Sequence, residues 1–404
     1  MKYTPPLDSE DAEAGFVDAD PANGKEGSLI PAGALENPQR EIINAIKGAG
    51  LTPSATDNTQ LKQALDKNLS QAKAAAEAGV NNFFATSAQL QSGSDTKKCA
   101  NVKQLDQELF ATLDADRKYE GVNLTTKFAT EIAQYANVWA WIQARIQSGN
   151  FKGIHVGDYI PFTTTAGTVG NDSVVAHNLN ARIVGIDTYY RAADTAIGHH
   201  IDFITKECIT NEVVWNPSNC NNGSPTEQHP WLQSAVYAWL NGVNNARTAH
   251  GNNAVGLNAS GKGLLQRLPT ALQNVIIQKR NILDARYSSS ALIKGGTNWD
   301  WQDMGKLWLP NEIEVYGHQV RSNLCNTDNY WNPEAGLSVQ YPWFAGSVDH
   351  RILSNAGSGR TGWWLSSVAS SVTASACYVY SYGFANHASC TGAGIRVPVC
   401  FRIG

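Results

Sequence analysis

Residues 363–403 constrain this chain more than any other stretch. They open with Trp363-Trp364-Leu365-Ser366-Ser367 and close with Gly394-Ile395-Arg396-Val397-Pro398-Val399-Cys400-Phe401-Arg402-Ile403. Both runs read as strands, and their apolar character makes them scaffold. Between them, Tyr378-Val379-Tyr380-Ser381-Tyr382 carries a ring at every second residue. In a β-strand all three tyrosines would project from one face. Two readings of that face stay open. Tyrosine is a good strand residue and packs on its neighbours. Tyr, Ser, Asn and Gly also supply contact area and hydrogen bonds at low entropic cost in binding loops. On the second reading the candidate binding set is Tyr378, Tyr380, Tyr382, Phe384, Asn386, His387 and Ser389.

The 404 residues suffice for two or three domains with an ordinary core. Charged residues make up only 16%, against roughly 25% in typical soluble domains, which predicts a polar but sparsely charged surface. A net charge of −4 supplies no basic field for nucleic acid and no polybasic stretch for a membrane surface. The N-terminal Met1-Lys2-Tyr3-Thr4-Pro5-Pro6 lacks an apolar signal segment, and no run of eighteen apolar residues follows. A soluble product without membrane insertion is expected. The seven cysteines are odd in number and contain no C-x-x-C pair, which argues against structural zinc. Cys377, Cys390 and Cys400 read as small buried hydrophobes. No metal or cofactor is called for.

The first thirty-odd residues are acidic, punctuated by Gly and Pro, and read as an extended tail that gains order by docking. Pro38 suits a first helical turn, and Ile42, Ile43 and Ile46 follow as an apolar stripe ending at Gly48-Ala49-Gly50. A second helix is expected from about Asp57 through Leu61, Leu65 and Leu69 into the Ala-rich 71–78. A helical connector over 101–147 would carry Leu105, Leu109 and Leu113, then Phe128, Ile132, Tyr135, Trp139 and Ile142 down one side. That stripe serves either as core or as the seam of a symmetric oligomer. After Gly149 the texture turns to short β-like runs, and eleven of the twelve tryptophans follow residue 140. The predicted organisation is α+β, with an attachment region over 1–75, a connector over 76–150 and a loop-rich domain over 151–404. Helices are expected there at 230–241 and 264–281.

Several motifs fail on context. Gly357-Ser358-Gly359-Arg360-Thr361-Gly362 matches G-x-G-x-x-G but precedes a strand rather than opening a helix. The loop from Gly256 to Gly263 has glycine where a phosphate-binding loop needs Ser or Thr. His200 and Asp202 lie near each other, and His200 reads as a satisfied structural histidine. Glu312 and Glu314 would share one strand face as paired carboxylates, with a backbone-bonding role favoured over acid–base chemistry.

Two resemblances add to this. Phe16-Val17-Asp18, Gly27-Ser28-Leu29-Ile30-Pro31-Ala32, Glu36-Asn37-Pro38-Gln39-Arg40-Glu41-Ile42 and Ala49-Gly50-Leu51-Thr52-Pro53-Ser54 resemble the N-terminal segment of bacteriophage and prophage tail-fibre proteins. That resemblance implies attachment to a tail or baseplate, and a homotrimer. Gly157-Asp158-Tyr159-Ile160-Pro161-Phe162, Ile201-Asp202-Phe203, Trp239-Leu240-Asn241, Leu307-Trp308-Leu309-Pro310 and Gly362-Trp363-Trp364-Leu365 resemble a prophage domain related to the formylglycine-generating-enzyme type of C-type lectin fold. The copper-binding cysteine pair of those enzymes has no counterpart, since Cys377 and Cys390 are thirteen positions apart. The calcium-binding Glu-Pro-Asn and Trp-Asn-Asp motifs of lectins are missing too, with Asn298-Trp299-Asp300 only a permuted echo. The resemblance therefore implies the scaffold, with 368–391 as the receptor-binding segment.

The expected function is a virion tail fibre, made in the bacterial cytoplasm, that binds a bacterial surface glycan or protein without being an enzyme. The alternatives are a tail enzyme cleaving surface glycan with Glu312, Glu314, Asp300 or Asp303, and a structural tail decoration.

Overall fold

The computed structural model describes residues 3–83, 119–322, 337–356 and 358–404, which fall into two units, one up to residue 83 and one from residue 119 onward. Leu105, Leu109 and Leu113 of the expected connector lie outside the described residues.

In the first unit the N-terminal stretch folds back on itself. Ser28 N donates to Val17 O at 2.9 Å, and Asp20 N to Lys25 O at 2.9 Å. Helix α1, Ala32–Gly48, starts a turn and a half before Pro38, which sits inside it and not in its first turn. Helix α2, Gln60–Phe83, begins after Asp57, whose carboxylate accepts from Thr59 N at 2.8 Å. Ile46, Ala49 and Ala64 form the core here, with Leu51 against it.

The second unit is α+β. Its first strands are β1 Tyr159–Thr163, β2 Gly167–Val169, β3 Asp172–Val174, β4 Asn178–Ile186, β5 Ile201–Cys208, β6 Arg247–His250, β7 Asn253–Val255 and β8 Ile276–Ile277. Then follow β9 Arg280–Ala285, β10 Asn298–Asp303, β11 Leu353–Asn355, β12 Arg360–Val368, β13 Ser375–Val379, β14 Ala385–Ser389, β15 Ile395–Arg396 and β16 Pro398–Ile403. The main sheet runs β1-β4-β5-β11-β12-β13-β14, with β16 beside β5 and β8, and β15 beside β12.

Strands β5 and β16 are antiparallel, with Phe203 opposite Phe401 and Asp202 opposite Arg402. Alternation sends these pairs to opposite faces. On one face Phe203 and Phe401 stack at 5.1 Å, and Trp139 from the helix Val138–Gln147 packs on Phe401 at 6.0 Å. The C-terminal domain therefore starts well before the boundary expected near residue 150. The stripe read as one helix is broken into Leu124–Lys127, Ala129–Ile132 and Val138–Gln147. Trp139 and Ile142 are buried in their own unit and Phe128 packs on Trp141 at 5.1 Å, so these members of the stripe are core, while Tyr135 is exposed.

The other face carries a buried ionic network. Arg402 holds Asp202 through two hydrogen bonds, Nε to Oδ1 at 2.7 Å and a terminal nitrogen to Oδ2 at 2.8 Å. Tyr341 donates to the same carboxylate at 3.0 Å. Lys279 bonds Glu314, which also accepts from Tyr189 at 2.7 Å, Asn281 at 3.1 Å and Asn311 N at 2.9 Å. Burial alone would raise the Asp202 pKa, but Arg402 holds it below the ordinary carboxylate value. Burial pushes Lys279 down, against the pull of Glu314 and Asp202. His200 accepts from Tyr189 N at 3.2 Å and bonds Gly198 O at 2.8 Å, and burial keeps it neutral.

Three local expectations change. Glu312 and Glu314 lie on a helix, Glu312–Tyr316, and not on a strand, because Asn311 and Glu314 form a capping box. The stretch 230–241 is two helices split at Ser234, whose hydroxyl caps the second by accepting from Tyr237 N at 3.1 Å. The stretch 264–281 yields a 3-10 turn, Leu264–Arg267, and a short α-helix, Thr270–Val275, flanked by Pro269 and by the β-branched Ile276 and Ile277 of β8.

Asp202→Asn leaves the Arg402 charge buried without its partner. The substitution is expected to cost about 3–5 kcal/mol of stability, read as a lower urea midpoint at unchanged slope.

Candidate functional site

Strands β13 and β14 form the hairpin at the end of the main sheet, with Tyr378 opposite Asn386 and Cys377 opposite His387. Tyr380 N donates to Phe384 O at 2.9 Å and Gly383 N to Tyr380 O at 2.7 Å, which leaves a three-residue loop, Ser381 to Gly383. Gly383 takes φ 86°, the left-handed conformation that such a loop needs at its last position.

The loop turns the ladder of rings into a platform. Tyr378 packs edge-on to Trp364 of β12 at 5.9 Å, its cross-strand partner. Gly362 gives that ring room, since a Cβ there would stand 3.2 Å from Tyr378 Cε2. Tyr380 is the hub, 6.3 Å from Tyr378, 5.8 Å from Tyr382 and stacked on Phe384 at 4.6 Å. Tyr382 and Phe384 are 60% and 50% exposed, whereas Trp363 and Trp364 beneath are fully buried. Asn386 donates to the Tyr378 hydroxyl at 3.3 Å, and burial pushes that hydroxyl's pKa up.

The seven candidate residues do not form one surface. Tyr378, Tyr380, Tyr382, Phe384 and Asn386 are linked by ring contacts and the Asn386 bond. His387 and Ser389 alternate to the opposite face with Cys377 and Ser375. There Ser389 bonds Asn219 and lies 3.2 Å from the Thr391 hydroxyl, and His387 Nδ1 is buried without a hydrogen-bond partner among the described residues.

A groove of about 380 Å³ runs beside the platform, between Tyr378, Tyr380 and Ala388 on one side and 393–396 on the other, with Arg360–Gly362 as its floor. Arg396 is spoken for. It donates to Thr361 at 3.0 Å, to Thr210 O at 3.1 Å and to Glu212 at 3.3 Å. Arg360 is exposed and reaches over the Tyr382 ring at 5.7 Å. Sequence reasoning missed both arginines, which β12 and β15 deliver to the groove from distant points in the chain. The base of the hairpin is clamped. Arg286 donates to Ala369 O at 2.8 Å and Val372 O at 3.1 Å, and Asn221 donates to Ser375 O at 2.6 Å.

The carboxylates considered for acid–base work are engaged elsewhere. Glu312 is fully buried and accepts from Val320 N, Arg321 N and Ser322 N at 2.7–3.1 Å. Glu314 belongs to the buried network. Asp300 lies 2.6 Å from His229 Nε2, and Asp303 pairs with Arg280 at 3.2 Å. No group of three or more His, Cys, Asp or Glu residues among the described residues is arranged to hold a metal ion.

A family model described as a domain of unknown function (DUF6273) matches residues 203–403, from Phe203 in β5 to Ile403 in β16. No curated protein and no solved structure matches the chain.

If the outer rings stand on the scaffold without holding it together, Tyr382→Ala and Phe384→Ala should each shift stability by only about 0.5 kcal/mol. Trp364→Ala should cost about 3–5 kcal/mol. Thermal unfolding of the three variants reads the contrast.

Proposed function

We propose that this chain is a tail fibre of a bacteriophage or phage-tail-like particle, docked on the tail or baseplate by its N-terminal unit and binding a bacterial surface receptor through its α+β unit. The observation that carries this reading is the platform of Tyr380, Tyr382 and Phe384, whose two outer rings are more than half or half exposed above a fully buried Trp-Trp scaffold. Large apolar rings with polar edges, set on a rigid hairpin, bind without paying much ordering entropy. Cleavage of a glycan is the weaker reading, because Glu312 and Glu314 are buried and committed to backbone N–H groups and to Lys279.

The N-terminal unit supports the docking half of the proposal. Among the described residues, twelve of the twenty-four exposed large hydrophobic side chains fall between Tyr3 and Leu69. A unit with so small a core gains burial chiefly by covering such surface with a partner. Along α2, Leu61, Leu65, Leu69, Ala72 and Ala76 follow a 4-4-3-4 spacing on one side, and all are exposed. That is the eleven-residue repeat of supercoiled helices, and α2 is the proposed seam of the homotrimer in place of the stripe whose Trp139 and Ile142 are buried in their own unit.

Replacing Tyr380, Tyr382 and Phe384 together with alanine should abolish adsorption to host cells in a pull-down while the far-UV circular dichroism stays unchanged. Full adsorption by the variant would overturn the platform as the receptor site. Leu65→Glu with Leu69→Glu should convert the oligomer to a monomer in light scattering.

A further inference from the structure

Resting on the receptor-binding reading, we infer that the ligand of this platform is an anionic saccharide, its ring lying on Tyr380 and Tyr382 and its negative group held by Arg360. Among the described residues the groove is lined by two arginines and by no carboxylate, in a chain of net charge −4. Arg396 has its charge met by Glu212 at 3.3 Å. Among the described residues Arg360 is exposed, has no ion pair, and makes one ring contact, with Tyr382 at 5.7 Å. A cation so placed beside aromatic faces meets two halves of one ligand. The rings take the apolar face of a pyranose, as aromatic side chains with polar edges do at wet interfaces. The guanidinium fork takes a carboxylate or phosphate oxygen pair.

The position of Arg360 fits that role. It is the first residue of β12, two residues before Gly362, over which the Tyr378 ring lies. Its guanidinium lines the groove and reaches over the Tyr382 ring, while its backbone is held by pairing with Ser354 of β11. Tyr378 and Ser381 add hydroxyl groups to the groove lining, the neutral donors and acceptors that sugar hydroxyls need.

The test uses the full chain in biolayer interferometry against four immobilised probes. They are a uronate-bearing bacterial polysaccharide and its carboxyl-reduced form, and a phosphate-bearing wall polysaccharide and its dephosphorylated form. The charged member of one pair should bind about tenfold more tightly than its neutral form, as expected for one charge-assisted hydrogen bond pair. The pair that shows the difference identifies carboxylate or phosphate. Arg360→Gln should erase the preference and leave binding to the neutral form unchanged. Arg247→Gln, which removes an exposed arginine outside the groove, should leave the preference intact. Equal binding of charged and neutral forms, or a preference that survives Arg360→Gln, overturns the inference while the receptor-binding reading stands. Binding to none of the four by a chain that still adsorbs to cells overturns it too and points to a protein receptor. Loss of adsorption altogether would bring down the parent reading.

Discussion

The pairing of Asp202 with Arg402 is the constraint on which the α+β unit rests. The two residues stand 200 positions apart in the chain yet face each other in register across β5 and β16. A one-residue slip would carry Arg402 into the aromatic layer of Phe203 and Trp139 and would bring Phe401 against Tyr341. Both outcomes leave a charge without its partner in a buried site, the most costly arrangement an interior can hold. A buried ion pair is weak evidence for stability in itself, and its use here is to fix register. From β5 the order propagates through β11 to β12, and from β16 through Val397 to β15, so both walls of the groove hang from the same pair of strands.

The hairpin shows how one strand serves both scaffold and display. Trp363 and Trp364 of β12 are fully buried, and Tyr378 covers Trp364 as its cross-strand partner. Tyr380 and Tyr382 continue the same ladder beyond the last strand pair, where the sheet below them ends. Tyr378 and Tyr380 are half-buried and Tyr382 is exposed, because fewer neighbours remain to cover the outermost ring. The aromatic run therefore joins core to surface without a change of residue type. Arg286 and Asn221, bonded to the carbonyls of 369–375, hold the base of the hairpin.

Much of this was legible in the sequence, and the limits of legibility have physical causes. The strands at Trp363–Val368 and Pro398–Ile403 follow from runs of β-branched and aromatic residues, and the shared face of Tyr378 and Tyr380 follows from period two. Period two also separates His387 and Ser389 from that face, but only once the loop length fixes which residues oppose one another, and a loop of three residues is a matter of tertiary geometry. Glu312 and Glu314 look like a strand pair by spacing, yet Asn311 caps them into a helix. Phe128 to Ile142 has the spacing of a continuous helix, and Trp139 is drawn instead onto Phe401, a contact with the far end of the chain. Arg360 and Arg396 carry no local signal at all, since a groove between β12 and β15 exists only after the sheet is assembled.

The sparse charge of the chain acquires a meaning from where it is spent. Asp202, Arg402, Lys279, Glu312, Glu314 and Arg286 are all buried, bonded to one another or to backbone groups. Beside Arg360, the surface around the hairpin is left mainly to rings, hydroxyls and amides, so encounter with a ligand depends on contact area and that guanidinium more than on long-range steering. A groove of about 380 Å³ offers modest area for a single site. In the proposed assembly that weakness is offset by geometry rather than by chemistry. Helices joined along the Leu61, Leu65 and Leu69 side of α2 would bring several platforms to one cell surface, where the second contact is intramolecular and avidity rises without any new bond at the groove.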